Sequence, residues 1–109
     1  MSRIKDIMRS VERPLPFAVE TAAREIGQHL ATWRKLQRLT AQQLAERAGV
    51  SRSTVSKLEN GDSSVGFDVV LRVARALGVL QQLEDALDPL YTDLGRARLE
   101  QRLPKRIRS

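Results

Sequence analysis

Apolar residues recur along this chain at the spacing of an α-helix, but in pieces too short to make one long rod. Local punctuation sets the length of each piece. Thr40 and Ser51 stand where N-caps are needed, and Gly49, Gly61 and Gly78 each follow the end of a stripe. Pro14 and Pro16 break the chain near its start, and Asp88-Pro89 interrupts it near its end. No strand-like alternation persists, and aromatic residues make up only 4% of the 109 positions. The fold class that follows is all-α, with several short helices around the core of one small domain.

The stripes predict a first helix over about residues 19–38, with Ile26, Leu30, Trp33 and Gln37 on one side. Lying on that stripe, Trp33 is expected in the core. A second helix is expected over 41–48, with Leu44, Ala45 and Ala48 inward, and a third over 52–60. A fourth covers about 67–77, carrying Phe67, Val70, Leu71, Ala74 and Leu77. A fifth begins near Leu80 and places Leu83, Leu87, Leu90 and Leu94 along one side before ending at Gly95, with a break expected at Asp88-Pro89. Three segments result: an N-terminal arm (1–18), a folded domain (19–94) and a basic tail (95–109) expected to lack a fixed fold of its own.

Lys and Arg number 19 against 13 Asp and Glu, a net charge of +6. The excess lies at the two ends. Residues 1–19 carry +2 and residues 95–109 carry +5, so the stretch between them sums to −1. A basic total is therefore a poor reason to assign nucleic acid to the folded part. That part is itself polarised. Six basic residues and one acid fall between Arg34 and Lys57, whereas four acids and no base fall between Gln81 and Leu94. With no cysteine, the chain can form neither a disulfide nor a thiolate metal site. No apolar run approaches a membrane span, and the first residues lack the apolar core of a secretory signal. The expectation is a cytoplasmic, nucleoid-associated protein that needs no cofactor and no membrane.

The informative stretch runs from Thr40 to Gly61, two short helices joined by a tight turn at Gly49. This is a helix-turn-helix arrangement, whose second helix enters a DNA major groove. On a wheel of about 100° per residue, Arg52, Ser53, Ser56, Lys57 and Asn60 share one arc of the third helix. Thr54, Val55, Leu58 and Glu59 share the other. The outer arc is wholly polar, with two bases and no acid, and every member can bond a phosphate or a base edge. An ordinary solvated face would include acids, as the other helices of this chain do.

These residues resemble the Cro/CI-type, or Xre-like, helix-turn-helix regulators over about residues 24–80. The matching pattern is Leu39-Thr40, Leu44-Ala45, Gly49-Val50-Ser51, Val55-Ser56 and Leu58-Glu59-Asn60-Gly61, followed by Leu71, Ala74 and Ala76-Leu77-Gly78-Val79. The resemblance implies a lambda-repressor-like five-helix domain that binds double-stranded DNA. It places base-reading roles on Ser51, Arg52, Ser53 and Lys57 and a phosphate approach at Asn60, with Gln42, Gln43, Thr54 and Ser56 completing the expected DNA-binding set. It also implies a structural ion pair between Arg34 and Glu59. Two departures stand out: Ala41 where the family commonly has glutamine, and Asp62-Ser63-Ser64 where it often has a basic loop. Each predicts a lost phosphate contact, and a salt slope shallower by about 0.9 per contact.

One such domain reads about one half-site, so a homodimer on a palindromic operator is expected. Its candidate interface is Leu87, Leu90 and Tyr91, with Leu83 turned inward. The stretch from Asp88 to Arg106 resembles the tails of HipB-like antitoxins, which implies autoregulation and a HipA-like kinase toxin as partner. Alternative readings are a module that chiefly restrains a toxin, a general regulator without one, and a basic tail that contacts DNA without sequence preference. Catalysis is not expected. His29 is the single histidine, it lacks a metal-binding partner at helical spacing, and the serines of the third helix have no base beside them.

Overall fold

A computed structural model of the chain describes residues 14–102. Six α-helices and one 3-10 turn succeed one another, and no strand occurs among the described residues. The helices are α1 (Phe17–Leu36), α2 (Ala41–Ala48), α3 (Arg52–Glu59), α4 (Phe67–Leu77), α5 (Leu80–Leu87) and α6 (Asp93–Arg102). The 3-10 turn, Pro89–Tyr91, separates α5 from α6. The arm up to residue 13 and the basic residues Lys105, Arg106 and Arg108 lie outside the described residues.

Each central helix starts and stops for local chemical reasons. Thr40 accepts a hydrogen bond from the Gln43 amide at 3.0 Å, and the Gln43 side chain accepts one from the Thr40 amide at 2.9 Å. This reciprocal capping box satisfies two amides that the first turn of α2 would otherwise leave open. Gly49 closes the helix in the left-handed region, at φ 73°. Ser51 then caps α3 by accepting from the Thr54 amide at 3.1 Å. Gly61 and Gly78, at φ 81° and 79°, follow α3 and α4. After α1 the same conformation falls on Arg38, at φ 59°, without the freedom of a glycine.

The core lies between α2, α3 and α4, with α1 laid across α3 and α4. Leu44 and Val55 are fully enclosed, joined by Leu30, Leu39, Leu58, Val73 and Leu77. Gln37 fastens the end of α1 to the end of α4, donating from Nε2 to the Leu77 carbonyl at 2.7 Å.

Several observations differ from the sequence expectations. Trp33 is 38% exposed rather than in the core. With Ile26 and His29 it lines an open apolar groove that α4 and α5 leave along α1. Leu83, expected inside, is only half-buried, because α5 is two turns long and touches the domain along one edge. The described part of the basic tail is helical, and Gly95 lies inside α6 instead of ending a helix. Thr92 restarts the helix there, its hydroxyl accepting from the Gly95 amide at 2.9 Å. A side chain at residue 95 would collide with the Pro89 carbonyl, so the glycine serves close packing on the 3-10 turn. Phe17 and Ala18 likewise belong to α1 and not to the arm.

Candidate nucleic-acid interface

The face of α3 follows from which residues the core claims. Val55 and Leu58 are buried, so Arg52, Ser53, Ser56, Lys57 and Asn60 are left on the exposed side. Neither Arg52 nor Lys57 has an acidic partner within 4.0 Å among the described residues. Among the described residues neither charge is spent in an ion pair, although Lys57 acts at longer range on Asp62. No acid occupies the first turn of α3, so its free amides and positive dipole end add to the same field.

Other candidates are partly committed within the fold. Ser51 is the cap of α3, and its hydroxyl also lies 2.7 Å from the Thr54 hydroxyl and 3.1 Å from that of Ser53. Thr54 is half-buried and turned toward that cap. Asn60 reaches back to Ser56 at 3.5 Å, a long bond that a ligand can displace. On α2, Gln43 gives its carbonyl oxygen to the capping box, and Gln42 donates to Glu46 at 3.2 Å. The exposed groups left with the most free donor capacity are Arg52 and Lys57.

The loop after α3 carries a negative charge of its own. Asp62 accepts from the Ser64 hydroxyl at 2.6 Å and from the Ser64 amide at 2.9 Å. These bonds hold its carboxyl below the ordinary Asp range, and the nearby Lys57 charge adds to the effect. An ionised carboxylate close to Lys57 opposes a phosphate at this end of α3.

Behind the exposed face, Arg34 and Glu59 meet as a two-pronged pair. The Arg34 Nε lies 2.7 Å from Glu59 Oε2 and its Nη2 lies 3.1 Å from Oε1. Its remaining nitrogen, Nη1, donates to the Leu39 carbonyl at 2.9 Å. Both side chains are 14% accessible. The hydrogen bond to Glu59 outweighs the cost of burial and raises the Arg34 pKa, so the guanidinium stays charged. One side chain thus ties α1 to α3 and to the turn before α2.

Sequence reasoning missed two close approaches that set the pose of α3. Gly27 of α1 is buried against the last turn of α3, where a Cβ would fall on the Leu58 carbonyl and 2.8 Å from that of Glu59. At Gly61 a Cβ would come within 2.7 Å of the Arg24 Cα. The available signal was weak: Gly27 is the one glycine of the domain placed mid-helix with no turn to explain it.

Two short helices around a left-handed glycine, the second offering an acid-free face, define the helix-turn-helix class. A family model described as "Helix-turn-helix" matches residues 30–88, over half of the 109-residue chain, and the chain belongs to that family. It is also 47% identical over 47 residues to an "Uncharacterized HTH-type transcriptional regulator" from Methanothermobacter thermautotrophicus. That alignment covers 43% of this chain and 67% of the relative. No solved structure matches. Among the described residues there is no cluster of His, Asp and Glu that could hold a metal, and no helix long and apolar enough to cross a membrane.

Proposed function

We propose that this chain is a DNA-binding transcriptional regulator that acts in the cytoplasm, on the nucleoid, as a repressor on a palindromic operator. The carrying observation is the exposed face of α3, where neither Arg52 nor Lys57 has a carboxylate within 4.0 Å among the described residues. Arg52 is suited to fork onto guanine O6 and N7, with Lys57 reading or gripping phosphate further along. Arg52→Ala and Lys57→Ala are each expected to weaken specific binding by roughly 1–3 kcal/mol, measured by gel shift at fixed salt. Both residues are exposed, so the fold should survive. Unchanged affinity in both folded variants rejects α3 as the reading helix.

A homodimer would supply the second half-site. Leu87, Leu90 and Tyr91 are 80%, 55% and 65% exposed in the single chain, an apolar surface that a second copy would cover. Leu87→Lys is expected to shift the protein to monomer in sedimentation while leaving its helical content intact. A Leu87→Lys protein that remains dimeric removes α5 from the interface. The antitoxin reading adds a HipA-like kinase on the α6 side, where Leu94 is exposed beside Arg96 and Arg98. Co-purification with the product of an adjoining kinase gene tests it, and failure of the two to associate rejects it.

A further inference from the structure

Three arginines converge on a recess that the α3 face does not include. Arg47 comes from the last turn of α2, and Arg72 and Arg75 stand three residues apart on α4. With Ala48 and Ala76 they line a space of about 300 Å³, which the two small side chains leave open. Position at a helix C-terminus accounts for Arg47 and Arg75, since cations there meet unpaired carbonyls. It does not account for Arg72, which lies mid-helix. The Arg72 Nη1 sits 3.4 Å from the place a Cβ on Gly49 would occupy, so its guanidinium leans over the turn that ends α2.

Compensating charge is scarce. Asp68 is the carboxylate that Arg72 meets, at 3.4 Å and with both groups more than half exposed, which is a weak hold. Arg47 and Arg75 have no carboxylate within 4.0 Å among the described residues. Three guanidiniums around one hollow repel one another unless an anion joins them, and their forked N–H groups match the oxygens of phosphate.

We propose that Arg47, Arg72 and Arg75 form a binding site for a phosphate group, carried either by the backbone of a bound nucleic acid or by a free polyphosphate ligand. The site lies in the domain whose charge sums to −1, so general basicity does not explain it. The pyrophosphate arm of the test below does not depend on the assignment of α3 as a reading helix.

Pyrophosphate is titrated into the full chain without DNA, and the arginine Nε–Hε resonances are followed by NMR. Saturable shifts are expected at Arg47, Arg72 and Arg75, with binding weakened about tenfold for each guanidinium removed in Arg47→Gln and Arg75→Gln. The salt dependence of binding to a short duplex of arbitrary sequence is then compared between the parent and the double variant. Competition by pyrophosphate and a slope reduced by about 0.9 per lost contact assign the site to a nucleic-acid backbone. An unchanged slope with pyrophosphate binding retained assigns it to a free ligand. Absence of saturable shifts together with an unchanged slope overturns the proposal. So does an equal slope change in Lys35→Gln, an exposed cation that does not line the recess.

Discussion

Replacing Arg34 with alanine is expected to destabilise the folded domain by about 3 kcal/mol, a fall of roughly 12–24 °C in Tm for a domain of this size. The loss comes from what stays behind. Glu59, 14% accessible beside its partner, would lose both of its bonds to the guanidinium, and the Leu39 carbonyl would lose its donor. Truncating one side of such a pair therefore costs more than the pair is worth as a whole. Arg34→Met combined with Glu59→Leu should accordingly be less destabilised than either single change, since no half-buried charge is left unpaired. Urea unfolding of the singles and the double gives the coupling directly. A loss of under about 1 kcal/mol in Arg34→Ala would reduce the pair to an ordinary surface contact.

The cycle also separates two consequences for DNA binding. Arg34 makes its hydrogen bonds to Glu59 and the Leu39 carbonyl and none to the exposed face of α3, yet it joins α1, the turn before α2 and the last turn of α3. If its role is to fix the angle at which α3 leaves the domain, the double variant should regain stability but not full DNA affinity. Full recovery of both would show that packing alone sets the angle.

Elements defined by neighbours along the chain were legible in the sequence. Thr40, Ser51, Gly49, Gly61 and Gly78 act within one turn of themselves, so α2, α3 and α4 fall within a residue of their expected bounds. The outer arc of α3 was legible for the same reason: eight residues and a fixed pitch determine it. What depended on distant partners was not, apart from the Arg34–Glu59 pair, which the family resemblance implied. The stripe through Trp33 shows which side of α1 is apolar, but α4 and α5 cover only part of that side. Gly95 read as a stop because its use, close packing on the Pro89 carbonyl, depends on a fold-back that only the assembled chain displays. Arg47 and Arg72 are far apart in sequence and meet through the packing of α2 on α4.

Gly27→Ala should be the smallest change with the largest reach, costing about 3 kcal/mol, at the upper end for overpacking. An alanine here would normally favour an α-helix by up to about 1 kcal/mol, so the local preference and the tertiary contact have opposite signs. The contact should win because its other side is backbone. The methyl group would meet the carbonyl oxygens of Leu58 and Glu59, which cannot rotate away as a flexible side chain can. Relief requires α1 and α3 to separate, which stretches the two bonds between Arg34 and Glu59 and tilts the helix that carries Arg52 and Lys57. Loss of stability in urea unfolding should therefore accompany a loss of DNA affinity, measured well below the unfolding midpoint. Gly78→Ala is the comparison, since a Cβ there meets nothing within 4 Å and pays only for its φ of 79°. If Gly27→Ala is as stable as the parent, the close approach of α1 to α3 is adjustable. Arg34 and Glu59 would then be left as the chief constraint on the pose of α3.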